Sequence, residues 1–256
     1  MLTESAVRAE LVRLFGLRLG VRLLIVQLLV GSVACFGGTV VARLNTEPNG
    51  NLLLGRAALG YYVAFGCACL AAAVVTATLA GGDVRYGTLT STLLADPDRD
   101  RLLAAKFLVG AALGAVYGVS TGVFGAIVLL GFADGGVGPS WQLAAVALAG
   151  TTAAACWGLI GTGLGLLLGS PLVAVIVLLT WCPLGELAAS ALAAAVGWTE
   201  FGSVLPCFAA LGTIVAGTVH EVGPMPGWPA APLLVVGWTA AVVATAWYRN
   251  RSRDLN

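Results

Sequence analysis

Lysine is almost missing from this sequence. Lys106 is the single one, beside twelve arginines, one histidine and two methionines in 256 residues. Charged residues of all kinds make up only 10%, where a soluble domain carries roughly a quarter. With 59% hydrophobic residues, that scarcity excludes a soluble globular protein, because one core cannot hide so much apolar chain. Other absences narrow the chemistry. No G-x-x-x-x-G-K-[ST] phosphate loop occurs, so the chain is not its own ATPase by that route. No H-E-x-x-H is present and no pair of intramembrane aspartates supports a membrane protease. No catalytic residue and no metal ligand set is expected, and a nucleic-acid partner is not expected either. Nor is there a cleavable secretory pattern: Glu4, Arg8, Glu10, Arg13, Arg18 and Arg22 crowd the start of the chain, without a short apolar core ending at a small-residue cleavage site. The scarcity of lysine beside abundant arginine, alanine, valine and glycine points to a GC-rich bacterial genome.

What is present is a series of apolar runs, at about 20–42, 57–80, 103–132, 142–168, 171–195 and 230–248. Each is long enough for a membrane helix, which needs about 20 residues. The expected fold is therefore all-α: one polytopic domain, 1–256, with six transmembrane helices. Only Gly169, Ser170 and Pro171 separate the fourth and fifth runs, where Ser170 can cap the next helix and Pro171 suits its first turn. Residues 4–18 read as an amphipathic interfacial helix, with Val7, Leu11 and Leu14 at helical spacing and Arg8 four residues after Glu4. A further apolar stretch, Phe201–Val219, is interrupted by Pro206 and Gly212, so the segment 198–229 is expected to form short or re-entrant outer helices instead of a seventh span.

Arginine placement sets the expected orientation. With both termini inside, the inner segments collect Arg8, Arg13, Arg18, Arg22, Arg85, Arg99, Arg101, Lys106, Arg249, Arg251 and Arg253, and the outer segments hold only Arg43 and Arg56. A seventh span would put the Arg249–Arg253 tail outside, against this rule.

The six cysteines are Cys35, Cys67, Cys69, Cys156, Cys182 and Cys207, five of them inside apolar runs, and they read as small packing residues. Gly110, Gly114, Gly118 and Gly122 recur every four residues in the third run, and Gly161, Gly165 and Gly169 in the fourth. Such stripes let helix backbones approach closely. Gly118–Gly122 also spells G-x-S-x-G, but the nucleophile elbow needs a strand-turn-helix setting and this copy lies within a span. His220, the only histidine, reads as a solvated loop residue. Glu186, after Pro183 near one end of the fifth run, stands either on a substrate path or at the headgroup boundary.

The one strongly charged internal loop is Asp83–Lys106, DVRYGTLTSTLLADPDRDRLLAAK. A short helix over 83–97 would place Tyr86, Leu89 and Leu93 on one face, and Asp96, Pro97, Asp98 and Asp100 would start the third span. By its residues alone this is an ordinary solvated loop with a good helix start. It resembles, however, the signature of permease subunits of the type-2 ABC exporter family: an acidic residue, three others, Gly-Thr, then Pro-x-x-Arg-x-x-x-x-x-x-Lys or close to it. The matching residues are Asp83, Gly87, Thr88, Pro97, Arg99 or Arg101, and Lys106, with Asp83 where the family usually has Glu. The interfacial helix, the six runs, the short outer helices and the length agree with that family.

The resemblance implies that the loop is a coupling helix docked on a separate cytoplasmic ATPase dimer. ATP and Mg would be bound there and not on this chain, and the interfacial helix would help hold the same partner. It implies a second permease half, a further copy or a sister chain. It also implies residence in the bacterial cytoplasmic membrane, among its lipids, and export of a hydrophobic or amphipathic compound such as a drug, an antibiotic, a lipid-linked molecule or a peptide. The alternative is a secondary transporter or channel without an ATPase, which would place coupling charges at mid-membrane.

Overall fold

The computed structural model describes residues 18–44, 58–88, 98–132, 140–215 and 225–252. They are almost entirely helical, and no strand occurs among them. The helices are α1 (Arg18–Leu44), α2 (Leu59–Arg85), α3 (Arg99–Phe132), α4 (Trp141–Leu168), α5 (Pro171–Thr180), α6 (Glu186–Ala195), α7 (Pro206–Val215) and α8 (Ala230–Arg251). One π-helical turn, Trp181–Gly185, joins α5 to α6, so that Pro171–Ala195 forms a single apolar rod. With α1, α2, α3, α4 and α8 this makes six helices long and apolar enough to cross a membrane, the architecture of a multi-pass membrane protein. The segment 4–18 expected at the interface lies outside the described residues but for its last position, so Val7, Arg8, Leu11 and Leu14 have no place in this description.

The centre of the bundle is α2, packed by α1, α3, α4, α5 and α7. Its sequence explains this. Ala, Gly and Cys recur all round it, so neighbours can approach from several sides, and Tyr61 and Phe65 fill the remaining space with both rings buried. A Cβ on Gly60 would lie 2.0 Å from the carbonyl oxygen of Ala34, which makes glycine obligatory where α1 crosses α2. In the third span, a Cβ on Gly114 would lie 2.2 Å from the Ala154 carbonyl oxygen and one on Gly118 would lie 2.6 Å from the Thr151 Cα. That stripe runs directly against α4. Gly161 and Gly165 of α4 press in turn on α2, with hypothetical Cβ atoms 2.3 Å from the Ala73 carbonyl and 2.5 Å from the Ala77 carbonyl. Gly122 differs, since its nearest neighbour would be at 3.6 Å, an ordinary contact.

The outer faces of α1 and of the fifth span are apolar and exposed, including Leu29, Val33, Ile176, Leu184 and Leu192. Bilayer lipid satisfies such faces as water cannot. Of the stretch Phe201–Val219, the described residues 201–215 hold no helix long enough to span. Its described part is a 3-10 turn, Phe201–Val204, and the ten-residue α7. At 1.5 Å per residue α7 is about 15 Å long, half the hydrocarbon thickness of about 30 Å.

Two boundaries and one cap differ from the sequence expectation. α2 continues past residue 80 to Arg85, so Asp83 belongs to its last turn and not to a loop helix. α3 starts at Arg99, and its cap is Asp98: the Arg101 amide donates to Asp98 Oδ1 at 3.1 Å. Asp96 and Pro97 lie outside the described residues. At the α4–α5 turn, Gly169 takes the left-handed conformation with φ 62° and Pro171 occupies the first helical turn, but the Ser170 hydroxyl makes no capping bond.

Candidate functional site: a buried ion pair at the root of a charged loop

The charged loop leaves α2 and returns to α3 at one end of the bundle. Asp83 and Lys106 are 23 residues apart, in the last turn of α2 and two turns into α3. They meet in a buried ion pair, Lys106 Nζ on Asp83 Oδ2, with both side chains about 95% covered. The other carboxylate oxygen, Oδ1, accepts the Thr88 hydroxyl at 2.9 Å. Thr88 can reach back because the chain reverses at Gly87, whose φ is 68°. A side chain at 87 would meet nothing within 4 Å. Glycine is required there for its backbone conformation and not for space, since the left-handed region strains any residue with a Cβ. The Asp-x-x-x-Gly-Thr run is thus a local device: glycine turns the chain, threonine returns to the aspartate, and the aspartate holds the lysine of the next helix.

Burying two charges costs several kcal/mol per ion before their attraction and hydrogen bonds offset it. Such a pair survives only where both partners and their extra bonds are held in place. Here α2 is also fixed from behind: a Cβ on Gly81 would lie 3.0 Å from the Pro171 nitrogen, so α2 touches the α4–α5 turn.

A second carboxylate ties the far side of the loop. Asp100, in the first turn of α3, accepts Trp247 Nε1 at 3.1 Å and lies 3.7 Å from Arg251 Nη2. The Trp247 ring stacks on Phe107, with centroids 6.2 Å apart. Arg99 Nη1 donates to the Arg251 carbonyl at 3.4 Å. Elsewhere α8 lies mainly along α4 and α7, so these contacts bind its end to α3. Asp83 on one side and Asp100 on the other frame the loop.

Of the residues singled out from sequence, Asp83, Thr88 and Lys106 come together in this way, with Gly87 shaping the turn. Tyr86 is largely exposed beside it. Arg99 and Arg101 sit on the first turn of α3, where Arg101 lies 3.8 Å from Asp98. Leu89, Leu93 and Pro97 lie outside the described residues. Beside the ion pair a cleft of about 290 Å³ opens between α2, α3, α4 and the start of α5, and Thr76, Tyr86 and Thr162 are among its lining residues.

Glu186 lies away from the ion pair, just past the middle of the fifth span Pro171–Ala195, and its role was not visible in the sequence. Pro183 has no amide to donate and its ring excludes the regular helix path, and the fifth span widens there into the π turn. Glu186 follows directly, 1% exposed. Its carboxylate accepts the Cys207 amide at 2.8 and 2.9 Å and the Phe208 amide at 3.2 Å. It therefore caps α7 from another helix, supplying the negative charge that a helix N-terminus favours.

The other sequence motifs do not form reactive sites. Ser120 of G-x-S-x-G lies within helical α3 and donates to the Tyr117 carbonyl at 2.9 Å. All six cysteines are free thiols, and among the described residues no cluster of metal-ligating side chains occurs. His220 lies outside the described residues. No protein-family model matches the sequence, and comparison with curated proteins and with solved structures finds no match.

Proposed function

We propose that this chain is the transmembrane subunit of an ATP-driven exporter, and that the loop between α2 and α3 is the element through which a separate ATPase moves it. One observation carries the reading. The only strongly charged loop between spans is rooted by a buried ion pair, Asp83–Lys106, closed by Thr88 around the left-handed turn at Gly87. A force applied to a loop reaches the helices only if the root is stiff, and a buried pair with an added hydrogen bond is a stiff root. The same residues carry the resemblance to type-2 ABC permeases. In this reading the ATPase dimer, with its ATP and Mg, sits on the cytoplasmic side beneath the loop, and a second permease half completes the path. The chain resides in a bacterial cytoplasmic membrane with both termini inside. The cargo is hydrophobic or amphipathic.

A secondary transporter is disfavoured by the state of the buried charges. Among the described residues these are Asp83, Lys106 and Glu186. Asp83 and Lys106 hold each other at the root of the loop, and Glu186, just past the middle of the fifth span, is held by the Cys207 and Phe208 amides, which ties it to the fold instead of to a coupling ion.

The test is purification of the chain from its native membrane under mild conditions. The parent is expected to bring an ATP-hydrolysing subunit with it. Leu89→Asp would place a charge in the apolar socket expected for the loop, which is costly unless paired, and should lose that subunit while inserting at normal levels. Retention of an ATPase by Leu89→Asp, with unchanged transport, would refute the coupling role.

A further inference from the structure

The cleft beside the ion pair is built in a particular way. Four of its lining side chains are polar and at least 93% covered: Thr76, Asp83, Lys106 and Thr162. Leu79 and Leu113, both partly exposed, extend the cleft as an apolar wall. The glycine stripes open the space for the hydroxyls. A Cβ on Gly110 would lie 2.2 Å from Thr162 Oγ1, and a Cβ on Gly161 would lie 2.3 Å from Thr76 Oγ1. Polar groups in an apolar bundle carry a desolvation cost, and here four of them border one opening of about 290 Å³. That volume is at the low end for ligand pockets.

We infer that this cleft is a binding site for a single-chain amphipath with an uncharged, hydroxyl- or amide-bearing head, the head lying over Thr76, Thr162 and the Asp83–Lys106 pair and the chain along Leu79 and Leu113. The chemistry follows from the lining. Asp83 and Lys106 neutralise each other, so a charged head would bring an uncompensated charge into a largely buried site. Thr76 and Thr162 each donate to a carbonyl of their own helix, at 2.9 Å. Their oxygens then serve as acceptors, while an ammonium such as that of Lys106 is donor-only. A hydroxyl or amide both donates and accepts and fits this mixture. A phosphate cannot donate when fully ionised, and a trimethylammonium has no N–H to give. Because the ion pair that roots the loop also lines the cleft, an occupant there touches the element that would carry ATPase motion. Naming the occupant as cargo rests on the exporter reading above, whereas the binding itself does not.

The experiment uses the full chain in lipid nanodiscs without any ATPase. The probe is a monoacylglycerol with a photoreactive diazirine in its acyl chain. Two further probes carry the same chain on a phosphate head and on a trimethylammonium head. The monoacylglycerol should label peptides containing Leu79 or Leu113 roughly tenfold more than either charged probe, the ratio given by a difference of about 1.4 kcal/mol. Leu113→Trp, which fills the cleft, should remove that excess. Thr162→Val keeps the side-chain volume while removing the hydroxyl, and it should reduce the excess severalfold in a chain that folds normally. Equal labelling by all three heads, or an excess unchanged in Thr162→Val, would overturn the site. Labelling as expected with no ATPase ever co-purifying would leave the site standing and remove the exporter reading. An ATPase that co-purifies while labelling fails would do the reverse.

Discussion

Asp83 and Lys106 are where this protein departs most from the rule that membrane helices bury apolar residues. Removing one partner leaves the other charge buried and uncompensated, a loss of about 3–5 kcal/mol for such pairs. Lys106→Ala and Asp83→Ala are each expected to lower the denaturation midpoint in detergent sharply and to reduce accumulation in the membrane. Replacing both at once separates stability from function. Asp83→Leu combined with Lys106→Met puts apolar groups in a site that no longer contains a charge, and such exchanges are often neutral or stabilising. The double variant should regain most of the lost stability and still fail to couple an ATPase. A midpoint unchanged in Lys106→Ala would mean that the pair is solvated. The two residues read in sequence as members of a charged loop, because a charge is the ordinary mark of solvent. Their partnership was not legible: the sequence reading singled out both residues without pairing them. Nothing in their spacing of 23 residues announces contact. The contact depends on α2 running on to Arg85, past the end of its apolar run.

Helices pack here through what their residues lack. In α3, the glycines at 114 and 118 meet α4 backbone, while Gly122 meets side chains at ordinary distance. Gly114→Ala should already be costly, by roughly 1–3 kcal/mol for overpacking, and Gly118→Leu should disrupt assembly. Gly122→Ala should be nearly silent. Equal tolerance at all three, measured by accumulation and detergent melting, would mean that the stripe does not lie against α4. The four-residue spacing of the stripe was plain in the sequence, though which helix it meets was not. Glu186 shows the opposite case. Its function as a cap depends on a π turn caused by Pro183 and on α7 folding back beside it, and neither is a local property. Glu186→Ala should cost about 0.5–2 kcal/mol, as loss of a cap does, and should raise the reactivity of Cys207 toward a thiol reagent by loosening the start of α7. Glu186→Gln keeps an acceptor and should retain most of the protection. If Cys207 reacts equally in all three, the cap does not hold α7.

At the scale of the molecule, the six spans were legible because each is a long apolar run that no soluble structure would tolerate. Their number could be set against the arginine distribution, and the break in the apolar stretch after Phe201 was recognisable by Pro206, whereas Gly212 lies within α7 and packs on the Pro226 carbonyl instead of interrupting the helix. The ends of the spans were less legible, since helices here continue into charged sequence wherever a partner neutralises the charge. Asp83 on α2, and Asp100 with Arg251 and Trp247 between α3 and α8, are such places. The proposed coupling requires the loop to share one side of the membrane with the C-terminus, and requires that side to be the cytoplasm. Single cysteines introduced as Asp98→Cys, Arg251→Cys and Asp134→Cys, with accessible native thiols replaced, test this with a membrane-impermeant thiol reagent. The account predicts that Asp98→Cys and Arg251→Cys react only after the cytoplasmic face is opened, and that Asp134→Cys reacts in intact cells. Reaction of Asp98→Cys or Arg251→Cys in intact cells would contradict it, because no cytoplasmic ATPase could then reach the loop.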